Sequence, residues 1–227
     1  MKLLAIDAAT EACSCALHCD GEMLERHMIA PRGHAQHLLG MVHELLSESG
    51  IRLQQLDAIA FDRGPGSFTG VRISTSVTQG LAFGADLPVV PVSSLAIIAQ
   101  GVYRQYHALQ VLSAIDARMN EVYWAEYHCH DGIMQLQGDE HVSMAEHVDV
   151  TAGDQWFGAG TGWQAYGESL SQRLGNRLLD QDGDCLPHAR DLISLAMPRV
   201  QNRQWLAAEQ ALPTYLRNDV AKKSSRQ

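Results

Sequence analysis

The sequence predicts an α/β protein made of two related units, each a mixed sheet with helices packed on it. Three observations carry this expectation. The tetrapeptide AIDA occurs at Ala5–Ala8 and again at Ala114–Ala117, an offset of 109 residues in a chain of 227. An Asp-Gly turn follows each copy, Asp20-Gly21 and Asp131-Gly132, between stretches of strand-like composition. Behind the first copy, strand-like and helix-like stretches alternate, as in a sheet layered with helices.

Leu3–Ala9 reads as a buried strand, Cys13–His18 as a second and Glu22–Ile29 as a third, so the chain opens with an antiparallel meander. Pro31-Arg32-Gly33 breaks it. A helix over His34–Ser49 carries Leu38, Leu39, Val42, Leu45 and Leu46 on one face, with Met41 off that face as a candidate for a second contact and Gly50 as its stop. Asp57–Asp62 is a strand, RGPGSFTG a glycine-rich loop, Val71–Phe83 a helix ended by Gly84, Leu87–Val92 a strand and Ser93–Tyr106 a helix. The second copy restarts the meander with Gln110–Ala117, Glu121–His128 and Ile133–Gly138. The rest is less regular: a strand end at Trp156-Phe157, glycines at 158, 160 and 162, and helices near Gln164–Leu174 and Ala189–Arg203, where Pro198 predicts a kink or a shorter helix. The final KKSSRQ reads as a disordered tail. The chain thus divides into 1–108 and a smaller, degenerate 109–227, two βββαβα-type units. By analogy this is the actin, Hsp70 and sugar-kinase (ASKHA) arrangement, whose nucleotide lies in the cleft between the halves.

Composition narrows the function. The formal charge is −9, and the only lysines are Lys2, Lys222 and Lys223. A protein that grips nucleic acid alone needs basic surface, so independent DNA or RNA binding is disfavoured. No apolar run approaches the ~20 residues of a membrane span, and MKLLAID is too short for a secretory leader, which predicts a cytoplasmic protein with no membrane attachment. Five cysteines without a CxxC pair argue for reduced thiols rather than disulfides or zinc.

The sharpest local signal is RGPGSFTGVRIS, Arg63–Ser74, between a strand and a helix. It lacks the lysine of a P-loop, and its glycines follow GxGxxxG. Pro65 and Thr69 flank Ser67 where a nucleophile elbow has glycines. A tight strand-to-helix turn and a ligand or partner site both remain open. The helix beyond it is rich in small residues (Gly70, Ser74, Ser76, Thr78, Gly80, Ala82), which suits either packing inside the chain or a subunit interface. His34 and His37 lack further metal ligands nearby, so no metal site is expected. Asp7 either faces a nucleotide's metal, as in actin-like proteins, or caps its own turn. In the second copy Arg118, Met119 and Asn120 are too bulky to wrap a phosphate with backbone N–H groups. No Ser–His–Asp order, HExxH or carboxylate pair stands out, which favours a binding or scaffold role over independent catalysis.

AIDAATEACSCAL, RGPGSFTGVRIS with QGLA after it, IDARMNEVYWAEY, GTGW and YLRNDVA together resemble the bacterial TsaB family, formerly called YeaZ, over essentially the whole chain. The resemblance implies a relative of the TsaD ligase that lacks its metal-binding and catalytic residues and pairs with it through helices of the first unit. With a TsaE-like ATPase and the enzyme supplying threonylcarbamoyl-adenylate, such a subunit supports formation of N6-threonylcarbamoyladenosine beside the anticodon of tRNAs reading codons that begin with A. It implies no cofactor of the chain's own, with ATP or ADP and metal on the TsaD-like partner. It also implies contact with tRNA only through the complex, and a homodimer when the partner is absent. Asp7 and Thr10 become a degenerate phosphate turn. The partner-binding residues become His34, His37, Leu38 and Met41 on the first helix; Arg63, Gly64, Pro65, Gly66, Ser67, Phe68, Thr69 and Gly70 in the loop; and Arg72, Ser74 and Thr78 on the second helix. Two departures stand out: Leu38 sits where the ligase's HxxxH needs its second histidine, and Ser74 replaces the usual glycine of GVRIG. An ATPase or phosphotransferase of the same fold is the alternative. A peptidase would need a nucleophile or metal that the sequence does not offer.

Overall fold

Asp20 and Asp131 both take left-handed φ angles, 50° and 51°, and each is followed by glycine at positive φ. These two-residue turns twist with the strands they join. The computed structural model describes residues 1–30, 33–151, 153 and 155–217. Its first unit runs β1 (Lys2–Asp7), β2 (Ala12–Cys19), β3 (Glu22–Ile29), α1 (His34–Ser49), β4 (Ala58–Asp62), α2 (Phe68–Ala85), β5 (Val89–Val92) and α3 (Ser94–Tyr106). Its second runs β6 (Gln110–Arg118), β7 (Glu121–His130), β8 (Ile133–Met144), β9 (Trp156–Ala159), α4 (Thr161–Leu174), β10 (Leu178–Asp182) and α5 (Ala189–Gln201).

The two sheets have the same topology, β3-β2-β1-β4-β5 and β8-β7-β6-β9-β10. In each, the meander is antiparallel and the last two strands join in parallel. The duplicated actin-like architecture is therefore present strand for strand. One helix is not duplicated: between β8 and β9 a single turn, Ala145–His147, stands where the first unit has α1.

Both faces of β1 are covered, which is why it reads as an unbroken apolar run. Leu4 and Ile6 face α1 and α2, while Leu3 and Ala5 face a central layer of α3 and α5. That layer crosses over: α3 lies against the second sheet and α5 against the first. A bidentate pair, Arg104 Nε and Nη2 to Asp191 at 2.7 and 2.9 Å, ties the two helices. On the outer face of the second sheet, α4 buries Trp163 against Leu112 and Trp156.

Several expected boundaries shift. The buried stripe of α1 is His34, Leu38, Met41, Val42 and Leu45. Met41 therefore lies in the core, three residues from Leu38 on the same face, and Leu39 points outward at 52% exposure. Ser67 is the N-cap of α2, accepting from the Gly70 N–H, so the helix begins three residues before Val71. Gly84 does not end it; Asp86 does, at φ 54°. Pro198 is accommodated in the last turn of α5. β8 runs on to Met144, and β10 had no sequence signal because LLDQD is mostly exposed. The KKSSRQ tail lies outside the described residues.

Candidate functional site

The two AIDA turns end on opposite walls of a cleft of about 1270 Å³ between the units. Thr10, Ser67 and Arg72 line one wall, Asp116, Arg118 and Thr161 the other. Asp7 does not reach it. Fully buried, its Oδ1 accepts from the Ala9 N–H at 3.1 Å and its Oδ2 from the Ser14 hydroxyl at 3.2 Å, so it caps its own turn. Thr10 lines the cleft, but its Oγ1 accepts from the Ala12 N–H. Of the expected phosphate turn, Asp7 presents no group to the cleft, and Thr10 has its hydroxyl oxygen engaged by the backbone.

Under this turn lies a second buried carboxyl. Asp62 Oδ1 accepts from the Gly64 N–H at 2.7 Å and the Ser94 hydroxyl at 2.6 Å. Its Oδ2 has no donor among the described residues and neighbours Asp7. Burial, then the charge of Asp62, pushes the Asp7 pKa well up; burial also raises that of Asp62. Two buried carboxyls thus neighbour each other in a place that disfavours their charged forms.

The RGPGSFTG loop wraps the first turn. The Ser67 N–H donates to the Ala9 carbonyl at 2.7 Å. A Cβ on Gly66 would overlap the Ala9 carbonyl oxygen, and one on Gly70 that of Ala8. What approaches these glycines is the chain's own β1 turn. The second unit repeats the device, with Gly160 and Gly162 against Ala114.

Arg63 is likewise engaged within the chain. Its Nη2 meets the Glu140 carboxylate of β8 at 2.9 Å, and its carbonyl accepts from the Thr214 N–H. Expected as a partner contact, it bridges the units instead. Nothing in the local sequence couples residue 63 to residue 140.

Around the second turn, Arg118, Met119 and Asn120 all have φ near 60°. Asp116 holds them, accepting from the Arg118 N–H at 2.8 Å and pairing with its guanidinium at 2.9 Å. The cleft's other arginines also have partners. Arg72 lies 3.2 Å from the Phe68 ring centroid, and Arg217 pairs with Glu121.

The outer side of α2 is different. A groove of about 300 Å³ between α1 and α2 is lined by Ala35, Phe68, Thr69, Ile73, Ser76 and Val77, with Arg72 at its edge. Phe68 is 61% exposed, and Leu39 and Phe83 are also exposed. Of the expected partner residues, His37, Ser67, Phe68 and Thr69 are exposed, and Gly66 and Arg72 are half-buried. His34, Leu38, Met41, Gly64, Pro65, Gly70, Ser74 and Thr78 are buried in the chain's own fold. The small-residue stripe Gly70–Ser74–Thr78–Ala82 faces the first sheet, where the Ser74 hydroxyl donates to the Ile6 carbonyl at 3.2 Å. Ile73, Ser76 and Val77, on the adjoining face about 100° round the helix, line the groove, and Ile73 and Val77 also pack against the first-unit core. Their i, i+3, i+4 spacing was the available signal.

Comparison with known proteins gives a consistent result. A family model described as "TsaD: tRNA N6-adenosine threonylcarbamoyltransferase" matches residues 28–223. The protein named tRNA threonylcarbamoyladenosine biosynthesis protein TsaB from Escherichia coli K12 is 46% identical, covering 97% of this chain and 96% of that one. Its namesake from Haemophilus influenzae is 38% identical over 97% and 95%. The structure of YeaZ from Pseudomonas aeruginosa superposes with a TM-score of 0.90 at 51% identity, covering 95% of this chain and 99% of that one. The chain belongs to the TsaB family, formerly called YeaZ.

Proposed function

We propose that this chain is a non-catalytic partner subunit in forming N6-threonylcarbamoyladenosine on tRNA, and that it docks a TsaD-like ligase through the α1–α2 groove. The observation that carries this reading is the groove itself, an apolar concavity flanked by exposed Phe68 and Leu39. An apolar patch of this kind on a chain with charge −9 suits a protein partner better than tRNA, which is then reached through the complex. A TsaE-like ATPase acts on the same assembly, and nucleotide and metal reside on the ligase. In the ligase's absence a second copy closes the same surface as a homodimer in the cytoplasm.

The competing ATPase reading requires cleft groups that hold phosphate. Arg72, Arg118 and Arg217 are each engaged internally, and the Arg118–Asn120 turn sets bulky side chains at the mouth. A peptidase reading has no activated nucleophile to rest on.

Ser76 is exposed, lines the groove and has a small side chain, so Ser76→Trp fills the groove while leaving the core intact. The expected result is at least tenfold weaker binding of purified ligase, about 1.4 kcal/mol, with a melting temperature close to wild type. Undiminished affinity by titration calorimetry would remove the groove from the interface.

A further inference from the structure

The motif YLR near the end of the described chain does not line the groove, yet it is built into the site. The Thr214 N–H donates to the Arg63 carbonyl at 2.8 Å. The Tyr215 ring lies 6.1 Å from the Phe68 ring and 5.2 Å from the Arg72 guanidinium carbon. Arg72 therefore stacks on the Phe68 ring and has the Tyr215 ring beside it, at about a right angle to the stack. At the other end, Arg217 donates to the Ala117 carbonyl at 3.1 Å and pairs with Glu121, so its ion pair and its hydrogen bonds go to the second-unit hairpin. The strap 213–217 thus crosses the mouth of the cleft, from the start of α2 to the second AIDA turn.

Phe68 and Arg72 line both the cleft and the groove, whereas Tyr215 and Arg217 line only the cleft. A guanidinium stacked on one ring and hemmed at its side by another loses rotamer freedom before any partner arrives, and the exposed Phe68 beneath it is held as well. We infer that the strap pre-orders the docking face: Tyr215 and Arg217 are positioning residues for Phe68 and Arg72, and the second-unit hairpin sets the affinity of the first-unit groove through them. This rests on the groove being the ligase-docking site.

The test measures ligase affinity, and backbone hydrogen exchange of the free chain, for wild type, Tyr215→Ala, Tyr215→Phe, Arg217→Glu, Glu121→Arg and the double exchange Arg217→Glu/Glu121→Arg. Tyr215→Ala and each single charge reversal should weaken binding at least threefold. Tyr215→Phe, which keeps the ring, should stay within twofold of wild type, and the double exchange, which restores the ion pair but not the hydrogen bond to the Ala117 carbonyl, should bind more tightly than either single charge reversal. Arg217→Glu should also speed exchange over residues 63–72, although the hydrogen bonds of Arg217 go to the other unit. Wild-type binding with all variants within twofold overturns the inference and leaves the docking site standing. If wild type binds no ligase, the docking reading fails, and unchanged exchange over 63–72 in Arg217→Glu overturns the pre-ordering separately.

Discussion

Gly70→Ala lowers the melting temperature by roughly 6–12 °C, whereas Gly80→Ala, in the same helix, raises it by about 1–4 °C. Both place a methyl group on α2, and the difference lies in what each methyl meets. At Gly70 it overlaps the Ala8 carbonyl oxygen at the end of β1, and no rotamer change relieves a clash between two backbones. The helix must lift from the sheet, breaking the Ser74–Ile6 and Ser67–Ala9 hydrogen bonds that hold it there. We assign this about 3 kcal/mol, the upper end of ordinary overpacking. At Gly80 no atom lies within 4 Å, so the gain is the helix preference of alanine over glycine, roughly 0.5–1 kcal/mol. Thermal denaturation of the two variants checks both signs. A neutral Gly70→Ala would mean that the loop does not grip the first turn as described.

Asp62→Asn stabilises the protein above neutral pH and leaves it nearly unchanged at pH 4. Burial raises the pKa values of both Asp7 and Asp62 above those of the unfolded chain, and the charge of Asp62 raises that of Asp7 further. A raised carboxyl contributes its full stability below the unfolded value, near 3.9, and loses it as pH climbs through the folded value. The wild type therefore loses stability with rising pH over this window. Asparagine keeps the Oδ1 that accepts from Gly64 and Ser94, and its amide donates toward Asp7 where Asp62 Oδ2 lacked a donor. The expected gain at pH 8 is several degrees, at roughly 2–4 °C per kcal/mol for a chain of this size. Melting curves from pH 4 to pH 8 should converge at the acid end, and parallel curves would contradict a raised pKa at this pair.

Much of this fold is legible in the sequence because its punctuation is local. The limits of α1 follow from Gly33 and Gly50, both in left-handed conformation, and both Asp-Gly turns fall where the alternation breaks. The limits of α2 are not legible: Gly70 and Gly84 resemble breakers, yet one is inside the helix because β1 needs the space, and the other because Asp86 supplies the cap. The RGPGSFTG glycines announce a close approach without naming what approaches. The answer, Ala8 and Ala9, depends on the pairing of β1 with β4. Arg63 to Glu140, Asp7 to Asp62 and Arg217 to Glu121 are tertiary pairings with no local sequence signal, and the first two engage residues expected at a partner or nucleotide site. On α1 the expected places of Met41 and Leu39 are exchanged: they are two residues and about 160° apart on the helix, and Leu39 directly follows Leu38, which holds the buried face.

The central claim is that the chain supports a reaction it does not perform. The most direct measurement is threonylcarbamoyl transfer to tRNA by a TsaD-like ligase, a TsaE-like ATPase and the enzyme supplying threonylcarbamoyl-adenylate, with and without this chain. The account predicts at least tenfold faster transfer with the chain present, little gain with Ser76→Trp, and no transfer by the chain alone. Equal transfer in its presence and absence would contradict the account.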